Sequence, residues 1–222
     1  MEPLVLTYRD VILRDRIPGD LADHRRWLTT ETAWLDWDAP WEQNDPEFVR
    51  QYLERMERRL HQPLPPVRTT LEICFRDGTH IGMVNSYHID GDPEKLALGI
   101  TLRESAYWGR GLGSQAFPLW VKYQLENSGH KEVYCQTWSG NVRMVKLAEK
   151  CGFRLCQRLP GVRMVKGERY DALTFVLSAT PGTFRFVADL LLRDRGSPLP
   201  ITLARRRNLM SWIGSWRAGI GD

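Results

Sequence analysis

Leu102-Arg103-Glu104-Ser105-Ala106-Tyr107-Trp108-Gly109-Arg110-Gly111-Leu112-Gly113-Ser114 is the stretch on which the reading of this chain turns. It leaves a strand-like run, alternates three glycines with larger residues, and enters a helical run. Glycine lets backbone amides approach a phosphate closely, and a helix start adds unpaired N–H groups and a favourable dipole. The loop therefore reads as a pyrophosphate cradle that needs no lysine. It is not a Walker loop, because Gly-Lys-Ser/Thr is absent, and its glycine spacing does not match the dinucleotide fingerprint. Taken alone, it is equally a plain tight turn.

Outward from the loop, hydrophobic periodicity predicts the elements. On the N-terminal side, Leu4 to Leu13 reads as one β-strand. Asp20 is placed to cap a short helix, and Pro46 to His61 reads as a longer one capped by Asp45. Thr69 to Phe75 and His80 to His88 read as a hairpin around Asp77-Gly78, followed by a strand from Lys95 to Leu102. On the C-terminal side, Gly111 to Asn127 is helical, with Pro118 predicting a kink. Glu132 to Thr137 is a strand and Asn141 to Cys151 a helix ended by Gly152. Phe153 to Arg158 and Tyr170 to Ser178 close the body as strands. Antiparallel strands followed by βαβ units predict a mixed α/β sheet with helices on its faces.

Composition narrows the class. The chain has 222 residues, 42% hydrophobic and 26% charged, as in an ordinary globular protein. It lacks the roughly 20-residue apolar run of a membrane span, and its first ten residues do not read as a signal peptide. Cys74, Cys135, Cys151 and Cys156 match neither a zinc nor a redox spacing, and read as buried thiols of a cytoplasmic protein. The net charge of +4 lies wholly in residues 181–222, which hold seven Arg against three Asp; residues 1–180 are neutral. The chain thus divides into a body, 1–180, and a basic C-terminal extension, 181–222. The extension, with Arg205-Arg206-Arg207 beside Trp212 and Trp216, reads first as a helix docking on the body or on a second subunit of a homodimer. Contact with nucleic acid or the ribosome is its alternative reading.

Trp108-Gly109-Arg110-Gly111-Leu112-Gly113 resembles the acetyl-CoA loop of the GNAT superfamily of N-acetyltransferases in its RimJ/RimL form. Asn141-Val142-Arg143-Met144 with Leu147 to Phe153 is similar to that group's second motif, Gly161 to Asp171 to its final hairpin, and Val11 to Arg14 to its first strand. The resemblance implies a GNAT-type, mostly antiparallel central sheet with helices on both faces. It implies acetyl-CoA as co-substrate, no metal, and an amine acceptor. Carried over by position, Ile100, Thr101 and Leu102 would bind the pantetheine arm through their backbone. Trp108 would also bind the cofactor, and Gly109, Arg110, Gly111, Leu112, Gly113 and Ser114 would hold the pyrophosphate. Asn141 would lie near the thioester, although a helix cap is its simpler reading.

The acid–base positions implied by the resemblance are vacant. They fall at Ala97, Gln136, Met144 and Ala148. Weaker candidates come from the residues themselves. Trp34, Asp36, Trp37 and Asp38, with Trp41 and Glu42, interleave aromatic faces and carboxylates in a way that suits a cationic amine, with Asp38 as the base. His88 is a second candidate base and Tyr134 a candidate donor to the leaving thiolate, while Glu104 reads as a solvated loop residue. The expected function is acetyl transfer to an amine, either a protein N-terminal α-amine or a small aminoglycoside- or polyamine-like compound. A non-catalytic CoA-binding module is the alternative. Without a carboxylate at Ala97 or Gln136, an α-amine, which sheds its proton easily, is the expected acceptor.

Overall fold

The computed structural model describes residues 2–41, 45–180, 182, 183 and 187. Glu42 and the basic cluster of the extension lie outside the described residues. The chain opens with a hairpin, β1 (Val5–Tyr8) and β2 (Val11–Arg14), in which Tyr8 pairs with Val11. The single strand expected over Leu4 to Leu13 is thus two. The turn between them uses Arg9 at φ 53, without the glycine, proline or asparagine that normally marks such a turn.

Next come α1 (Asp20–Thr29), α2 (Pro46–Leu60), β3 (Thr70–Phe75), β4 (His80–His88) and β5 (Leu96–Leu102). Asp45 caps α2 as expected, its carboxylate accepting from the Phe48 N–H at 2.8 Å. Asp20 does not cap α1. Gly19 holds that position, and Asp20 is buried, accepting from both Arg14 guanidinium nitrogens at 2.7 Å. After β5 come α3 (Gly113–Asn127), β6 (Glu132–Trp138), α4 (Val142–Lys150), β7 (Arg154–Val165) and β8 (Glu168–Ser178). α3 runs unbroken through Pro118 and starts after Gly109 and Gly111, which have φ 75 and 73. β7 and β8 are longer than expected. A register shift between Leu159 and Arg163 absorbs Pro160-Gly161, and the Gly161 N–H donates to Asp171 Oδ1 at 2.9 Å.

The eight strands form one sheet in the order β1-β2-β3-β4-β5-β6-β8-β7, antiparallel except for the parallel β5–β6 pair. Alternation along β3 puts helices on both faces. Leu71 and Ile73 join the main core with Phe117 and Trp120 of α3, while Glu72 meets His24 of α1 on the opposite face. α1 and α2 pack together around Trp27, Leu28, Trp34, Val49 and Leu53. Val187 is 1% exposed in the main core, beyond the boundary expected at residue 180. Cys74, Cys135 and Cys151 are buried, but Cys156 is exposed on β7, the sheet's edge strand. No described helix is long and apolar enough to cross a membrane.

One irregularity of the sheet positions the candidate site. β5 and β6 pair only at Leu96–Val133 and Ala97–Tyr134. Beyond these residues β6 keeps β8 as far as Trp138–Ala172, and β5 keeps β4 as far as Leu102–Gly82. The two strands therefore part like a wedge. Main-chain groups on the β6 side of Ile100 to Leu102 are left without a strand partner, which is costly unless water or a ligand supplies one.

Candidate active site

The glycine loop lies at the open end of the wedge. A short 3-10 turn, Ser105–Tyr107, carries the chain to Trp108, whose indole N–H donates to the Leu102 carbonyl at 2.9 Å. Gly109 and Gly111 then take left-handed conformations that favour glycine. Among the described residues, the N–H groups of 109–113 have no hydrogen-bond partner. Free donors gathered at the N-terminus of a 15-residue helix suit an anion.

These donors open onto a cavity of about 350 Å³. Ile100, Thr101, Leu102, Trp108, Gly109, Gly111, Leu112, Gly113, Ser114 and Asn141 all line it, as do Trp34, Trp37 and Asp38. Arg110 does not; its guanidinium lies 4.8 Å from the Tyr107 ring. Arg143 does, and sequence reasoning gave it no role. It sits over the rings of Trp37 at 4.1 Å and Trp108 at 5.1 Å, so it adds a positive charge to the wall. Both ends of the Asn141 amide are engaged. Its oxygen caps α4 at the Met144 N–H (3.0 Å), and its nitrogen donates to the Trp37 carbonyl (2.7 Å). The Trp138 indole donates to the same carbonyl at 2.9 Å, which pins the tryptophan loop over the wedge.

A second cavity, of about 630 Å³, opens on the other side. Asp38, Ile100, Thr101, Asn141 and Met144 line both cavities, so the two meet at the tip of the wedge. Asp38 is the one carboxylate lining either among the described residues, and Thr101 Oγ1 donates to it at 3.4 Å. Tyr87, another residue that sequence reasoning missed, faces this cavity and donates to Gln136 Oε1 at 3.1 Å. Although Tyr87 as a whole is 40% exposed, desolvation of its phenol pushes the pKa up to about 12, so it stays a proton donor at neutral pH.

The remaining candidates lie elsewhere. Asp36 is exposed and pairs with Lys166 at 3.1 Å. His88 stands at the exposed end of β4, against the His130 ring at 5.9 Å. The Tyr134 hydroxyl donates to Glu132 at 2.7 Å, a bond that pushes its pKa up to about 12. Neither His88 nor Tyr134 lines either cavity. Glu104 is not solvated. It accepts from Arg26 at 2.6 Å and from the Trp27 indole at 3.3 Å.

Beneath the second cavity lies a buried polar cluster that the apolar look of β3 concealed. Glu72 is wholly buried and accepts from Arg16 Nε at 2.6 Å, His80 Nε2 at 3.0 Å and His24 Nε2 at 3.2 Å. Arg103 Nη1 can only donate to His24 Nδ1, at 3.0 Å, so His24 carries its proton on Nε2 and is neutral. Burial lowers its pKa, in accord with that assignment. His80 has carboxylates at both nitrogens, Asp23 at 3.2 Å on Nδ1 and Glu72 on Nε2. Its pKa is about 9, because those bonds outweigh the effect of burial. His24, Glu72 and His80 offer ligand atoms within 4.8 Å of one another, a donor set able to hold a metal. Protons occupy the same positions, however, and two arginines border the set, so an ion network satisfies it without a cation.

A sheet split at a parallel pair, with free backbone donors on one side of the tip and a carboxylate at the tip itself, is an arrangement suited to an acyltransferase fold. The chain belongs to the GNAT superfamily: the Acetyltransferase (GNAT) domain model matches residues 10–154. Solved structures share the fold, and two are informative. Spermidine N-acetyltransferase from Vibrio cholerae, in complex with CoA and spermine, superposes with a TM-score of 0.62 at 17% identity, over 77% of this chain and 96% of that one. Mycobacterium smegmatis RimJ, in complex with CoA-disulfide, does so with a TM-score of 0.60 at 19% identity, over 85% and 93%. An uncharacterized protein of Methanocaldococcus jannaschii is 33% identical over 75 residues, and the match spans 33% of this chain and only 15% of that relative.

Proposed function

We propose that this protein transfers the acetyl group of acetyl-CoA to an amine, in a ternary complex with both substrates bound. The observation that carries the reading is the meeting of the two cavities at Asp38. The pyrophosphate would rest on the free N–H groups of 109–113, with Arg143 adding charge. The pantetheine arm would run along the edge of Ile100 to Leu102 that has no strand partner and deliver its thioester to the tip. There the amine enters from the second cavity, and Asp38 accepts its proton, directly or through water. The amine nitrogen bonds to the acetyl carbonyl carbon, the carbon–sulfur bond breaks, and the thiolate is protonated as CoA leaves. Holding both reactants at one tip supplies most of the rate.

An α-amine is the acceptor this arrangement supports best. At pH 7 a group with a pKa of roughly 7.7–8.0 is neutral to about a tenth, and a lysine-type amine to well under one part in a thousand. One solvent-exposed aspartate therefore has far less work to do for an α-amine. The reading puts the protein in the cytoplasm, where its co-substrate is held. Thiol release from acetyl-CoA, measured with N-terminal peptides, spermidine and an aminoglycoside, tests the proposal. If CoA binds but no amine is acetylated, the protein is a non-catalytic CoA-binding module.

A further inference from the structure

Four arginines line the second cavity, and among the described residues Asp38 at its tip is the only acid that faces them. The cations fall into two groups. Arg16 is already paired with Glu72, and Arg55 and Arg59, one turn apart on the exposed side of α2, have no ion-pair partner among the described residues. Arg103 is the decisive one. It is 6% exposed, yet no carboxylate among the described residues reaches it. Every other cation in the network beneath has its own acid: Arg14 has Asp20, Arg16 has Glu72, His80 has Asp23, and Arg26 has Glu104. Arg103 has the neutral His24, the Tyr52 hydroxyl at 3.4 Å, and the Trp34 and Tyr52 rings at 4.3 and 5.8 Å, and its Nε has no hydrogen-bond partner among the described residues. A buried cation without a counter-ion is costly, and proteins rarely leave one so.

We propose that the acceptor supplies the missing charge: the amine substrate carries a carboxylate or another anion, which Arg103 binds within the second cavity while Arg55 and Arg59 attract it at the rim. The ammonium end then lies toward Asp38 and the anionic end toward the arginines, which fixes the direction in which the acceptor enters. A polyamine would meet repulsion along the same wall. The inference rests on the acetyl-transfer reading for the role of Asp38, but the choice of an anionic ligand does not depend on turnover.

The test compares two otherwise identical peptides, one beginning serine-glutamate-glutamate and the other serine-lysine-lysine, with free aspartate and spermidine as further arms. Binding to the CoA-loaded full chain is measured by calorimetry, and acetylation by thiol release. The acidic peptide should bind and react better than the basic one by on the order of tenfold at low ionic strength, a margin that narrows as salt is added. Arg55→Glu with Arg59→Glu, both on an exposed helix face, should erase most of that margin while the apo fold persists. Arg103→Gln should raise KM for the acidic peptide far more than it lowers kcat. A preference for free aspartate over both peptides would support the same site with a small amino acid as its source. Tight binding of the acidic peptide without acetylation would uphold the anion site and remove the acetyl-transfer reading. Equal affinities, a preference for the basic peptide or spermidine, or a preference unchanged in both variants would overturn the inference.

Discussion

Consider replacement of the cradle glycines. Gly111 has φ 73, and nothing lies within 4 Å of the place a Cβ would take, so Gly111→Ala is opposed by backbone strain alone, about 1–2 kcal/mol. Gly111→Asn should recover part of this, since asparagine tolerates the left-handed region. Gly113 differs: a Cβ there would meet Leu102 Cδ1 at 3.8 Å and Leu147 Cδ2 at 3.9 Å, ordinary contacts, while a longer side chain would fill the donor cavity. Gly113→Leu should therefore leave the apo protein near wild-type stability and remove the binding site. Saturating acetyl-CoA at about 100 times Kd stabilises the folded state by about 2.7 kcal/mol. For a chain of this size that is about 5–10 °C in Tm. Thermal unfolding with and without acetyl-CoA should show that rise in the wild type, a smaller one in Gly111→Ala, and none in Gly113→Leu or in the double replacement by bulky residues. An undiminished rise in the double variant would refute the cradle.

Asp38→Asn keeps the side chain's size and should lower kcat/KM at pH 7 by about 10² while leaving the affinity for acetyl-CoA unchanged; steady-state kinetics across pH would show it, and a nearly unchanged rate would remove Asp38 as the base. Glu72→Ala strands Arg16 and His80 in the interior and should cost about 3–5 kcal/mol, read by urea unfolding. His80 has a folded pKa of about 9 against roughly 6.5 unfolded, so its contribution of about 3 kcal/mol is complete below pH 6.5 and lost as pH rises through 9. Stability measured from pH 6 to pH 10 should fall accordingly, and less so in His80→Gln. We propose that the body extends past residue 180: truncation after Ser178 removes Val187 from the core at a cost of about 1.5–3 kcal/mol, whereas truncation after Val187 should preserve folding and the acetyl-CoA-induced rise in Tm.

Local signals were legible wherever one residue type answers one local need. Asp45 and Asn141 cap helices, Gly78 turns a hairpin at φ 96, and Gly109 and Gly111 take the conformations their loop demands. The first hairpin was not legible, because Arg9 turns it at φ 53 inside a run of strand formers. Asp20 looked like a cap because caps and buried ion partners draw on the same residue types. Glu72 and Glu104 were hidden for a different reason. Key partners stand far off in sequence, 48 residues from His24 to Glu72 and 78 from Arg26 to Glu104, and no periodicity reports which charges meet.

The two halves of the site differ in the same way. The donor half is built from main-chain groups, and main chain leaves a signature only where glycine frees it. The acceptor half is built from side chains that reach one cavity from many elements, and those that line it alone, such as Arg55, Arg59, Tyr87 and Arg103, can change without touching the cradle. What fixes the acceptor half is the network beneath it. Arg103 is tied through neutral His24 to Glu72, and Glu72 to Arg16, so the two arginines on the inner wall are held by one buried carboxylate. A buried network of charge-assisted hydrogen bonds holds its members in place, and rigidity is what a recognition site needs from its supports. Glu72, though it lines neither cavity, thereby sets where the positive wall stands, and a change there should move the acceptor's KM as well as the protein's stability.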